Sequence, residues 1–270
     1  MYIKKIIFAF SLLTFGSVSQ AQVVNNNNPL KYRHFKTDYA TMVELANKER
    51  LPWRVFYESP SEGVNAEWFD AVKQGDLDKV KQMVTEGQDI EAKDTGSLDQ
   101  TALGWAAFIG DEAMVDYLIS QNANLWATDT GDVYNVLKSA VLGNNVNVVK
   151  KVHQLMKDEV DLNNQQIESD GETLVMIAAS NNRMETVKYL LSQGADINRS
   201  TTTDDVTMFS YDQSALTYAC KNNLPEMQKF LIDNGALNHR TGKPSCNWFI
   251  GILGNNRIIF TNHANKLFLA

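Results

Sequence analysis

The architecture of this chain is written most legibly in Thr101-Ala102-Leu103-Gly104-Trp105-Ala106-Ala107-Phe108-Ile109-Gly110. A threonine at the head can set its hydroxyl over the free N–H groups of a helix start. The Ala106-Ala107 pair keeps the helix thin, so that a neighbour can approach closely. Gly110 sits where the helix must stop and reverse, a position that favours a left-handed backbone. The whole reads as a short, apolar helix built to be packed against another.

The same pattern recurs in both directions. Aligned on the small residue of each first helix, Ala71, Ala106, Ala140, Ala178 and Ala219 lie 35, 34, 38 and 41 residues apart. Thr173 and Ser214 repeat the capping position of Thr101, and Gly75 repeats the stop at Gly110. Asn144, Asn182 and Asn223 stand where the other units place glycine, and asparagine tolerates a left-handed turn better than most residues. A second apolar helix follows each time, carrying Met83-Val84, Leu118-Ile119, Leu190-Leu191 and Leu231-Ile232, with Val80, Val115 and Val187 about one turn earlier. A unit of this size cannot bury its own apolar faces, so the units are expected to stack.

These segments resemble the ankyrin signature, a Thr-Pro-Leu-His-x-Ala-Ala helix start, although its Pro and His are absent from every unit. Gly194-Ala195-Asp196-Ile197-Asn198, Gly235-Ala236-Leu237-Asn238 and Gly87-Gln88-Asp89-Ile90 are similar to the Gly-Ala-Asp-Val-Asn ending of the family. The resemblance covers residues 65–240. It implies an all-α solenoid of about five helix-turn-helix units, four clear and one degenerate around Asn135 to Leu155. Arg199 to Gln213 exceeds a standard connection and predicts an enlarged finger loop.

Outside the repeats, Thr37 or Asp38 can cap a helix to about Arg50 that Pro52 ends, giving residues 22–64 the character of a linker and helical extension. Residues 241–270 read as a degenerate C-terminal cap or tail. Gly242 to Cys246 can open a sixth unit, but Phe249 to Phe260 is more apolar than a terminal cap should be. Met1 to Ala21 has the form of a signal peptide: Lys4 and Lys5, an apolar run from Ile6 to Phe15 too short to span a bilayer, and small residues at Ser19 and Ala21. The expected localisation is periplasmic or secreted, with no membrane span after cleavage.

Composition narrows the function. The 270 residues carry 25 Lys+Arg against 32 Asp+Glu, a formal net charge of -7, which argues against nucleic acid as the partner. The four histidines, His34, His153, His239 and His263, share no zinc spacing, so no metal is expected. No glycine-rich phosphate loop or Gly-x-Ser-x-Gly elbow occurs, so neither a cofactor nor an enzyme activity is expected. Cys220 fills a small-residue slot as a buried hydrophobe, or bonds to Cys246 in an oxidising compartment; spacing leaves both open.

What remains is a surface. The family resemblance implies binding through loop tips and the concave side of the first helices, and the register maps Leu98, Gln100, Phe108, Ile109, Trp126, Tyr134, Tyr211 and Gln213 there as partner-binding residues. The expectation is a monomeric, non-enzymatic protein-binding module of the cell envelope, recruiting or sequestering a protein partner, basic in charge. An antitoxin-like inhibitor of a basic exported enzyme and a structural envelope-docking protein stand as alternatives.

Overall fold

A computed structural model describes residues 34–246, together with the backbone of 249–253, 256–260 and 268–269. The signal-peptide segment lies outside the described residues. Five helix pairs make up the body: α2 (Ala66–Gln74) with α3 (Leu77–Thr85), α4 (Ala102–Ile109) with α5 (Glu112–Ser120), α6 (Val136–Leu142) with α7 (Val146–Met156), α8 (Leu174–Ser180) with α9 (Met184–Ser192), and α10 (Ala215–Lys221) with α11 (Pro225–Asp233). The first helices pack in series, α2 on α4, α4 on α6, α6 on α8 and α8 on α10, while α5, α7 and α9 form a second layer behind them. The order follows from the sequence. Each second helix has one apolar stripe, whereas the first helices α4, α6, α8 and α10 are buried along almost their whole length and must be covered on more than one side.

Local signals explain most boundaries. The Thr101 hydroxyl accepts from the Gly104 N–H, and Ser214 and Thr217 form a reciprocal capping box on α10. Thr173 occupies the same position on α8, but its hydroxyl makes no such bond. The degenerate unit is complete after all, because the Asn135 side chain caps α6 by accepting from the Lys138 N–H. Gly110, Asn182 and Asn223 adopt the left-handed turn expected of them. Asn144 does not: the third unit turns at Gly143, whose Cβ position lies 2.4 Å from the Phe108 carbonyl oxygen, so the constraint there is contact with the preceding unit.

Two further elements frame the array. Asp38 caps α1 (Tyr39–Ala46), which stops four residues before Arg50 at a left-handed Asn47, and a single 3-10 turn follows at Pro52–Arg54. A two-residue hairpin, β1 (Lys93–Asp94) and β2 (Gln100–Thr101), stiffens the first finger. At the other end, β3 (Phe249–Leu253), β4 (Asn256–Phe260) and β5 (Phe268–Leu269) form an antiparallel sheet in the order β3-β4-β5. This differs from a sixth helical unit. Phe249-Ile250-Gly251-Ile252-Leu253 and Arg257-Ile258-Ile259-Phe260 are rich in β-branched and aromatic residues, which favour a pleated surface over a helix. Both readings of Cys220 hold together: it is buried on α10 and bonded to Cys246, with their Cα atoms 5.6 Å apart.

Two outcomes follow. Gly110→Val should destabilise the fold by about 1–3 kcal/mol in urea titration, because φ is +85° and a Cβ there would lie 2.7 Å from that of Asn145. Cys246→Ser, which opens a link spanning 26 residues, should cost about 3 kcal/mol and lower the melting temperature, with reducing agent having the same effect on the wild type only.

Candidate functional site

The concave face of the array is already occupied by its own chain. Residues 34–62 pass along it as a strap, and each contact has a chemical reason. Lys36 hydrogen-bonds through its N–H to the Gln74 carbonyl at 2.9 Å and pairs through its amine with Asp111 at 2.8 Å. Arg183, buried at the head of α9, donates to the Leu45 carbonyl at 2.8 Å and to the Leu142 carbonyl at 3.0 Å. Burial holds its guanidinium down to about 10. The Arg183 bonds tie α1 to the end of α6 and the head of α9.

Beyond Pro52 the strap plunges inward. Phe56 is buried with its ring 6.0 Å from Trp105 and 6.4 Å from Phe108. Arg54 is buried beside it, donating to Gln100, to Asp129 at 3.1 Å and to Asp132 at 3.1 Å, with its guanidinium 5.8 Å from the Phe108 ring. A buried guanidinium is tolerated only when carboxylates surround it. The fingers supply them.

The same arrangement repeats along the row. Lys73 pairs with Asp94 at 2.6 Å, beneath the Trp105 indole, whose N–H also donates to Asp94 at 2.8 Å. Lys138 on α6 pairs with Glu168 and lies 3.4 Å from Asp132. Farther along, the Tyr218 hydroxyl donates to Glu172, and Arg240 and His239 hold Asp212. Burial pushes the Glu172 carboxyl up to about 7, opposed by the Tyr218 hydrogen bond. The Tyr218 phenol is driven far above its ordinary value by burial and by that carboxylate.

The residues mapped from the sequence separate against this frame. Phe108 is 0% exposed and is a core residue under the strap, so it does not face a partner. Gln100 is buried too, its side-chain oxygen spent on Arg54, and Gln213 is buried inside its own finger, donating to the Tyr211 carbonyl at 2.8 Å. The repeat register does not show that the strap covers Phe108 and Gln100, or that the enlarged finger folds over Gln213. Tyr134 is half-buried under the Lys138 amine, and Ile109 lines a shallow hollow with Lys36 and Asp111 on the turn side. Leu98, half-buried, and the exposed Tyr211 and Trp126 stay accessible, with Trp126 standing apart on the loop after α5.

Sequence reasoning missed two exposed aromatic residues. Trp53 is 68% exposed on the outside of the strap, and Phe209 is 55% exposed at the enlarged finger, stacked on Tyr218 with the Lys221 amine 3.8 Å from its ring. Two hollows flank the ridge Arg50-Leu51-Pro52: one of about 380 Å³ toward Glu172 and Phe209, the other of about 290 Å³ toward Leu98 and Gly131. The signal was present in Arg50-Leu51-Pro52-Trp53-Arg54-Val55-Phe56-Tyr57, where aromatic and basic residues alternate outside any repeat.

A family model for ankyrin repeats, three copies, matches residues 68–155 and 137–241. A curated relative, an ankyrin repeat and KH domain-containing protein named mask-1 from Caenorhabditis elegans, is 36% identical over 85 residues, which is 32% of this chain and 3% of that protein. The chain therefore spans only a small part of that relative's length.

Arg54→Ala should destabilise the protein by about 3–5 kcal/mol in denaturant titration, because Asp129 and Gln100 lose their buried partner. Phe108→Ala should cost a similar amount, about 3–5 kcal/mol, through the cavity it opens beneath Phe56. Normal stability for both would refute the buried strap.

Proposed function

The chain belongs to the ankyrin-repeat family, and from that premise we propose that it is a non-enzymatic protein-binding module whose partner meets the outer side of the strap and the finger row. Proteins of this family generally act through protein–protein interaction. The observation that carries the reading is the pairing of exposed aromatic side chains with a strongly acidic edge. Trp53, Phe209 and Tyr211 stand in water on this side. The finger segments 93–101, 127–135, 163–173 and 199–213 contain ten Asp or Glu against two basic residues, Lys93 and Arg199; five of the acids, Asp94, Asp129, Asp132, Glu168 and Asp212, are paired with cations of the chain, and Asp99, Asp204 and Asp205 are among those that are not. Aromatic anchors and single-sign charge are the features from which interfaces gain affinity and encounter rate.

The finer proposal is a monomeric protein of the cell envelope, exported through Met1 to Ala21, whose partner is basic. The Cys220–Cys246 bond supports export, since disulfides persist in oxidising compartments. No helix among the described residues is long and apolar enough to cross a membrane. Sequestration of a basic exported enzyme fits the acidic edge.

Cross-linking of the mature protein in envelope extract, read by mass spectrometry, tests this. A double variant, Trp53→Ala with Phe209→Ala, should lose the partner while keeping its helical circular dichroism. Capture should fall steeply between low and high salt, as expected for exposed charges. Retention by the double variant at every salt concentration refutes the surface proposed here.

A further inference from the structure

The larger of the two hollows has a chemistry of its own. Its volume is about 380 Å³, and its walls are Leu51 and Pro52 of the strap, Leu142 and Ile177 of the inner helices, and the ring of Phe209. Glu172 lies in its wall, with Glu49 and Asp132 at the rim and Arg50 the one basic residue lining it. Asp132 is already shared between Arg54 and Lys138, and Lys138 is also engaged by Glu168. With Asp132 paired, the lining sets two carboxyl groups, Glu49 and Glu172, against the single Arg50, which already interacts with Glu172, and it combines them with aliphatic and aromatic walls.

The chain shows what such a lining accepts. Arg54 fills the neighbouring part of the groove, its guanidinium between finger carboxylates and an aromatic ring. Arg50 approaches the same arrangement from the edge, 5.8 Å from the Phe209 ring. Both belong to one stretch of strap: Arg54 sets its charged head among carboxylates, whereas Arg50 feels Glu172 at a distance and its Nη2 is buried without a hydrogen-bond partner among the described residues.

We propose that this hollow receives a lysine or arginine side chain of the protein partner, its stem against Phe209, Leu51 and Ile177 and its charge beside Glu172. The inference rests on the protein-binding reading above and names the kind of residue that reading requires. It makes the strap part of the binding surface, since Leu51 and Pro52 build one wall.

The test uses the full chain, labelled with nitrogen-15, and two small probes: N-acetyl-arginine methylamide and its citrulline counterpart, which has the same shape without the charge. The arginine probe should shift the amide resonances of Ser180, Asn181 and Phe209 saturably, and the citrulline probe should not. Glu172→Gln should weaken the arginine probe by about tenfold or more. Phe209→Ala, a change at a largely exposed residue, should weaken it while leaving the fold intact, which keeps the test decisive if Glu172→Gln unfolds. Equal binding of the two probes, or undiminished binding in a folded Glu172→Gln protein, overturns the proposal. A partner captured equally well by wild type and Glu172→Gln also overturns it and leaves the protein-binding reading standing. If the arginine probe binds as expected but no protein is captured, the broader reading fails and the cation preference of the hollow stands.

Discussion

A helix with no polar face has to be covered on every side, and that constraint governs this molecule. Ala102 to Phe108 on α4, Val136 to Leu142 on α6 and Leu174 to Ser180 on α8 are buried without interruption. Stacking satisfies the flanks of these helices, and the second layer satisfies their backs. The concave side is left, and there the chain supplies its own cover: the strap over α4 and α6, and the enlarged finger over α10, where Phe209 stacks on Tyr218. At roughly 25 cal/mol per Å² of apolar surface, leaving Trp105, Phe108 and Tyr218 in water would cost several kcal/mol. The strap is thus part of the fold and not an appendage to it.

Covering an apolar groove with a segment that contains Arg54 raises a second problem, since a buried guanidinium without partners is far more costly than an exposed one. The acidic fingers resolve it. Lys73, Arg54 and Lys138 each sit at the junction of an inner element and a finger, and each takes its carboxylates from the finger side. Such pairs contribute little net stability over apolar residues of the same size. Their effect is positional: they fix where each finger stands, and so they set the spacing of the surface above.

The repeat was readable because it rests on local rules. Thr101 and Ser214 announce their helices, Gly110 its turn, and the valines and leucines of the second helices their buried stripe. Asn135 was a cap hidden by chemistry: its amide does the work of the hydroxyl found in other units. Thr173 is the reverse, a residue with the right identity and no bond to show for it. Phe108 and Gln100 could not be resolved from the sequence at all, because the register gives the side of the array a residue faces, while burial depends on a segment some fifty residues earlier whose docking is non-local. The C-terminal stretch, read as a degenerate cap or tail, left its secondary structure open for a different reason. Position in the repeat series argued for a helix, whereas β-branched composition favoured strands, and composition prevailed.

The internal ion pairs also determine what is left for another molecule. Asp94, Asp129, Asp132, Glu168 and Asp212 are neutralised from within by the chain's own cations. Asp99, Asp204 and Asp205 make no ion pair among the described residues, and Asp204 and Asp205 stand exposed on the same finger that carries Phe209. Charge that is paired inside the groove specifies the fold; charge left over at the finger tips specifies the approach of a partner, since only unscreened and uncompensated groups act across the distance of an encounter. The division places apolar anchors and spare carboxylates on one edge, so a ligand offering both an aliphatic stem and a positive head matches that edge better than one offering either alone.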